Sequence, residues 1–304
     1  MLLWRVLKLV CRIPKEKLIG EGEKNICIKG MSYNSARDEL FLADDRNGVV
    51  RAIRVRDYDG NLREVCRVMP KNVWSVCQMS DSDTLLVCTG EPRGNKWLVA
   101  LSRNGRGWRE AHRVQTDERG ESSCALSDSR VLIGERRSTY MELFSVESGP
   151  RIARVHRIHV PEEYHWFSAT CGSDTLVAMS HSDQSVRLHR LHGDRLEELA
   201  RIQMKWPKRL LWLADRLLVV DYDSEKDSHT VIELEVSDTR LERRSELIAT
   251  SGNIHVHSWC AVSDELAIVD DRTKDILHYS FETSNLEFSR TSTTTSNTKC
   301  CLLS

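Results

Sequence analysis

Short apolar runs recur along the chain, each bounded by polar turn residues. They stand at Leu40-Phe41-Leu42, Leu85-Leu86-Val87, Val131-Leu132-Ile133, Leu176-Val177-Ala178, Leu217-Leu218-Val219 and Leu266-Ala267-Ile268, with start-to-start steps of 45, 46, 45, 41 and 49 residues. A Ser-Asp pair precedes most of the runs: Ser80-Asp81, Ser127-Asp128, Ser173-Asp174 and Ser263-Asp264, with Ala214-Asp215 in the fifth unit. Cys77, Cys124 and Cys260 sit three residues ahead of the Ser, with Cys171 one residue out of line, and Ser75, Ser122 and Ser258 precede their Cys by two. One unit is therefore written about six times, and a fixed period of this length marks a repeat architecture.

Each unit reads as four short strands. In the second, residues 74–79 lead through the Ser-Asp turn to 84–88, then to 97–101, and Asn104-Gly105 introduces 108–114. Asn, Asp, Ser and Gly fill the gaps because their backbones and side chains suit tight turns. In the fifth unit Ile232, Leu234 and Val236 alternate with Glu233 and Glu235, the period of two of a strand with one covered face. The fourth strands share a basic and then β-branched pair: Arg67-Val68, Arg113-Val114, Arg157-Ile158 and Arg201-Ile202. Residues 239–248 carry a helix-like pattern, but their place in the repeat predicts a strand.

Repeats of about 40–50 residues made of four strands are β-propeller blades, whose apolar faces are covered by their neighbours. The prediction is all-β: a six-bladed β-propeller of four-stranded antiparallel blades over residues 1–291, with six repeats in about 25–291. Val10-Cys11-Arg12-Ile13 with Pro14-Lys15 resembles Val65-Cys66-Arg67-Val68 with Pro70-Lys71, so the chain opens on a fourth-type strand. Residues 1–15 are expected to close the ring by joining the last blade, with 286–291 a second claimant to that edge.

Glu39 to Arg54, reading Glu-Leu-Phe-Leu-Ala-Asp-Asp-Arg-Asn-Gly-Val-Val-Arg-Ala-Ile-Arg, resembles the NHL and YVTN-type propeller repeats, and the outline returns at Glu265 to Phe281. What the resemblance implies is the fold and a bias towards binding roles; a fold alone does not give a function.

Composition narrows the classes. The 304 residues are 40% hydrophobic and 29% charged with a net charge of −1, which is globular and leaves no basic footprint for nucleic acid. No apolar run approaches the roughly 20 residues of a membrane span. Arg5 and Lys8 interrupt the apolar start, no cleavage site follows, and no glycosylation sequon occurs, so a cytoplasmic chain is expected. The cysteines lack metal spacing, and the first eight read as small buried thiols.

The tail, 292–304, is rich in Ser and Thr and ends Cys300-Cys301-Leu302-Leu303-Ser304. Cys301 before two aliphatics and a Ser fits a prenylation box of the C-a-a-X kind, with Ser favouring farnesyl. A single lipid holds a protein only marginally, and Cys300 is a candidate palmitoylation site for the second signal. These residues predict peripheral attachment to a cytoplasmic membrane face.

Further candidates are weaker. Asp44, Glu91, Glu135, Asp183, Asp221 and Asp270 follow the second strands; they read either as an acidic rim for a cation or basic peptide, or as ordinary turn formers. His156, His159, His165, His255 and His257 lack a third partner at zinc spacing. Trp74, Trp166, Trp206, Trp212 and Trp259, near the first strands, suit an aromatic mouth or blade packing alike. No Walker loop, nucleophile elbow or dinucleotide fingerprint occurs. The leading expectation is a non-enzymatic scaffold for protein partners, without cofactor and without nucleic acid. The rivals are an untethered scaffold and a metal-dependent hydrolase of the gluconolactonase-like six-bladed kind, for which Asn25, Asn72 and Glu121 are the available channel ligands.

Overall fold

The structure, a computed structural model, describes residues 5–283 except 56–61, 68–71, 80–82, 92, 106, 128, 148, 171–174, 214–215, 238–239 and 250–255. Cys171, His255, residues 286–291 and the 292–304 tail with Cys300 and Cys301 lie outside the described residues. So do the Ser-Asp or Ala-Asp turns at 80–81, 173–174 and 214–215.

The first repeat supplies β2 (Ile28–Asn34), β3 (Glu39–Asp44), β4 (Val49–Arg54) and β5 (Arg63–Arg67), an antiparallel four-stranded sheet in chain order. The second gives the same arrangement with β6 (Asn72–Gln78), β7 (Thr84–Gly90), β8 (Lys96–Asn104) and β9 (Gly107–Thr116). A seven-stranded sheet runs through β10 (Ser122–Ser127), β11 (Arg130–Gly134), β12 (Ser138–Glu147), β13 (Arg151–Ala169), β14 (Leu176–His181), β15 (Ser185–His192) and β16 (Arg195–Gln203). An eight-stranded sheet holds β17 (Pro207–Leu213), β18 (Arg216–Asp223), β19 (Ser228–Ser237) and β20 (Arg240–Ala249). It continues through β1 (Arg5–Ile13) to β23 (Ile276–Thr283), β22 (Glu265–Asp270) and β21 (Val256–Val262). The protein is an all-β propeller. Of the helix-like 239–248 segment, residues 240–248 lie on β20, as their place in the repeat required, and 239 lies outside the described residues.

Separate four-stranded sheets were expected, and four sheets of unequal size are found among the described residues. Two strands account for the difference. β13 is 19 residues long; Arg151 to His159, and again Tyr164, pair with β12, while Tyr164 to Ala169 pair with β14. Pro161, which has no N–H to give a ladder, falls between His159 and Tyr164, where the register with β12 shifts. β1 pairs antiparallel with β23 from Arg5↔Thr283 to Ile13↔Ile276, while Arg5 to Leu7 also run parallel to β20.

Burial falls from the second strand of each unit to the fourth. All six residues of β3 and all but the first of β7 and β22 are buried, whereas most of β9 and β16 is half-buried or exposed. A strand buried on both faces needs no alternation, which is why the second strands read as continuous apolar runs. The cores lie between units. Phe41 and Val50 pack with Val76 and Val87, Leu86 and Cys88 with Ile133 and Phe144, and Leu132 and Tyr164 with Val177 and Met179. Val186 and Leu188 meet Leu217 and Ile232, Leu218 and Val231 meet Leu266 and Tyr279, and Leu40 and Leu42 meet Val262 and Val269. First strands are stitched together by serines: Ser75 Oγ donates to the Gly120 carbonyl at 2.5 Å, and the Gln78 N–H donates to Ser32 Oγ at 2.9 Å. At Gly30 a Cβ would stand 2.8 Å from the Ser75 backbone, so glycine permits this approach of β2 to β6.

Of the first eight cysteines, Cys77, Cys88 and Cys260 are buried, and Cys11, Cys27, Cys66 and Cys124 are half-buried; all seven are free thiols. Burial pushes the Cys66, Cys88 and Cys260 thiols up to about 12, so they are unreactive packing residues.

A titrating pair lies between β14 and β15. The His181 and His189 rings are buried with centroids 6.3 Å apart, and burial pushes both down to about 4 from an ordinary 6.5. Between pH 6.5 and 4 the unfolded chain therefore binds protons that the folded chain refuses, so stability falls as pH falls. By pH 5 each histidine costs about 2 kcal/mol relative to neutral pH. Urea unfolding at pH 7 and pH 5 measures this loss, and His189→Leu is expected to shrink it by about half.

Candidate functional site at the channel mouth

The first strands β2, β6, β10, β17 and β21, with the second half of β13, surround a central cavity of about 290 Å³. A second cavity of about 330 Å³ opens at the end where these strands begin. Residues at or near the strand starts reach it: Lys29 on β2, Trp74 on β6, Glu121 just before β10, His165 and Trp166 on β13, Lys208 and Arg209 on β17, and His257 on β21. Lys29, Glu121, Trp166 and Arg209 line both cavities, so they stand where the mouth narrows into the channel.

Aromatic and cationic groups interleave there. The Arg209 guanidinium lies over Trp166 at 3.5 Å from the ring centroid and donates to the His257 carbonyl at 2.7 Å. Lys208 Nζ lies 3.7 Å from the Tyr222 ring centroid and 3.4 Å from His229 Nε2. Burial pushes Arg209 down to about 10, which keeps it charged at neutral pH at a desolvation cost, and burial also draws Lys208 below its usual range. Burial, with Arg209 nearby, lowers His257 to about 4, and burial beside Arg136 and Arg137 lowers His165. Trp206, 45% exposed, stands at the rim.

The two acids of the mouth are already engaged. Asp271 accepts Lys274 Nζ at 2.6 Å and lies 3.1 Å from His257 Nδ1. Glu121 accepts the Arg136 backbone N–H at 3.3 Å and lies 3.9 Å from the Arg119 guanidinium. Among the described residues, no carboxylate comes within ion-pair distance of Lys29, Arg136, Lys208 or Arg209.

The six carboxylates at the second-strand ends are placed elsewhere; none lines the channel or its mouth. Asp44 accepts the Cys27 N–H at 3.1 Å and Asn47 Nδ2 at 2.6 Å, and Asp221 accepts the Lys205 and Trp206 N–H groups at 3.2 and 2.6 Å. Asp270 takes the Arg272 and Thr273 N–H groups, and Asp183 takes the Ser185 N–H, the Ser185 hydroxyl and Arg187. Glu135 binds Lys96 at 2.8 Å and Arg119 at 3.2 Å, and the Glu91 backbone closes the turn to Gly94 and Asn95. These contacts organise turns and fasten neighbouring strands.

Of the predicted histidines, His165 and His257 reach the mouth, while His159 packs on Tyr140. Trp74, Trp166 and Trp206 line the mouth, and Trp166, Trp212 and Trp259 line the channel. Among the channel ligands considered for a hydrolase, Glu121 lines both cavities. Asn25 Oδ1 accepts the Ile26 N–H, and the Asn72 carbonyl accepts the Thr89 hydroxyl. No three His, Cys, Asp or Glu side chains among the described residues converge as a metal-binding group. The sequence reading singled out neither Lys208 nor Arg209 as a site residue. The signal was Trp206-Pro207-Lys208-Arg209 at the start of a first strand, where side chains face the axis.

No protein-family model matches the chain, and no curated protein matches it either. Solved structures do match at the level of fold. A chain of the mitotic checkpoint complex superposes with a TM-score of 0.59 at 10% identity, covering 86% of this chain and 76% of that one. The WD40 repeats of RRP9 give 0.59 at 9% identity, covering 86% and 96%. The β-propeller domain of Cps50 (Swd1) from Myceliophthora thermophila gives 0.59 at 11% identity, covering 88% and 86%. The fold neighbours are thus propellers that include WD40 repeats, and at such identities the likeness concerns the fold alone.

Proposed function

We propose that the protein is a non-enzymatic protein-interaction scaffold, a ring of six four-stranded units closed by β1, which docks partner segments on the channel-mouth face. The observation that carries this reading is the mouth itself: a concave site of about 330 Å³ walled by Trp74, Trp166 and Trp206 and held by the rigid starts of the first strands. The six-unit count draws support from the six buried clusters and from the halves of β13 belonging to successive units. The closing role draws support from the β1–β23 ladder and from Arg12, whose guanidinium pairs with Asp275.

Affinity capture with the whole chain tests the docking face. Partners held by the wild type are expected to be lost with Trp206→Ala and kept with Arg195→Gln on the outer strand β16. Equal capture by Trp206→Ala contradicts the assigned face, and no capture by the wild type contradicts the scaffold.

The membrane tether belongs to the same proposal. Where Ser304 is the free carboxyl end, the Cys301 thiolate attacks an isoprenoid diphosphate, forming a thioether and releasing diphosphate. Labelling of eukaryotic cells with a farnesyl analogue is expected to mark the wild type and spare Cys301→Ser; an unlabelled wild type contradicts it.

A further inference from the structure

We infer that the mouth cavity recognises an acidic peptide segment, with a carboxylate side chain seated against Arg209 and Lys208 and a neighbouring aromatic or aliphatic side chain lying on the indole walls. This deepens the docking reading and rests on it.

Charge is the first argument. Lys29, Arg136, Lys208 and Arg209 face one half-enclosed cavity without an ion-pair partner among the described residues, while Asp271 and Glu121 are committed to other donors. Cations along low-dielectric walls focus a positive potential into the cleft, and ring contacts and more distant acids offset their desolvation only in part until an anion enters. Burial already draws Arg209 and Lys208 below their ordinary ranges, the direction expected of cations lacking that anion.

Donor geometry is the second. One guanidinium N–H of Arg209 is spent on the His257 carbonyl, and stacking on Trp166 fixes the plane of the rest of the fork, an arrangement suited to a planar carboxylate. His257 adds a buried Nε2 with no hydrogen-bond partner, while its Nδ1 lies beside Asp271; on protonation that nitrogen becomes another donor.

The walls are the third. Three indoles line the cavity with the cations, Trp206 openly and Trp166 with Arg209 over one face, more apolar wall than a small inorganic anion uses and what an acidic residue flanked by an apolar one would cover. The cavity has the size of a small ligand site and admits side chains rather than a folded element.

Titration calorimetry on the full chain tests this with acetyl-Glu-Trp-Glu amide, acetyl-Lys-Trp-Lys amide and inorganic phosphate. The acidic peptide is expected to bind saturably and the basic one not at all. Arg209→Met should weaken the acidic peptide about tenfold or more, and added salt should weaken it further. Arg136→Gln changes an exposed turn residue and keeps the fold, and it should weaken binding by a smaller factor. Failure of the acidic peptide to bind, equal binding of the basic peptide, or indifference to both substitutions overturns the inference. Phosphate that binds as tightly and displaces the peptide fully also overturns it, marking a free-anion site. Adding the acidic peptide to the capture experiment separates the two levels. Partners captured through the Trp206 face and undisturbed by the peptide leave the scaffold standing and remove this inference. A chain that binds the peptide but captures no partner removes the scaffold.

Discussion

Deletion of residues 1–14 is expected to abolish cooperative folding of the monomer. β1 supplies Leu7 and Ile13 to two different inter-unit cores, and both are fully buried. Burying such side chains contributes about 1.5–3 kcal/mol each. Without β1, β23 also becomes an open edge from Ile276 to Thr283, and the salt bridge of Lys8 with Glu282 and the pairing of Arg12 with Asp275 disappear. Against a total stability of about 5–15 kcal/mol, those losses leave little or nothing. Thermal unfolding followed by circular dichroism should show no sharp transition in the truncated chain, with concentration-dependent association through the free edge. A peptide of residues 1–14 added in trans should restore the transition, because an exposed strand edge accepts a matching strand. An unchanged melting temperature after truncation would contradict the closing role.

Arg51→Met is expected to be the most damaging single substitution, costing about 3–5 kcal/mol. Arg51 is only 2% exposed, on β4, and its guanidinium joins Glu23 to the fully buried Asp44 at 3.3 Å. Methionine fills the space but leaves the Asp44 side chain buried without its cation, with the Cys27 N–H and Asn47 as its remaining partners. The third residue of β15, Arg187, repeats the design with Asp183 at 2.7 Å and Glu162. There the carboxylates are 39% and 55% exposed and turn to water when the cation is removed, so Arg187→Met should cost about half as much or less. Denaturant unfolding of both variants measures the contrast; equal losses would mean that burial of the carboxylates is not what sets the cost.

The repeat was legible because each unit must bury a second strand on both faces, which forces a continuous apolar run at a fixed interval. Turn chemistry was legible for the same reason: Gly105 takes φ +60 after Asn104, and Ser263 takes φ +54 in the Ser-Asp turn between β21 and β22. Two things were not legible. The fusion of units through β13 depends on one strand running on past Pro161, and nothing in a local pattern distinguishes a continuous strand from two strands end to end. The mouth depends on side chains from six separated segments meeting at one end of the ring. Lys29, Trp166, Arg209 and His257 lie as far as 228 residues apart, and only the common register of the first strands brings them together. The carboxylates after the second strands drew attention because they recur; they make turn and strand contacts and do not line the channel or its mouth. Lys29, Trp166, Arg209 and His257 do not recur in this way; each comes from a different unit and carries its own chemistry.

An experimental density map of the full chain tests the central claim most directly. The account predicts six radial four-stranded units around one channel, with β1 lying between β23 and β20 as the outer strand of the last unit. A different number of units, or β23 left at an open edge with β1 paired elsewhere, would contradict it.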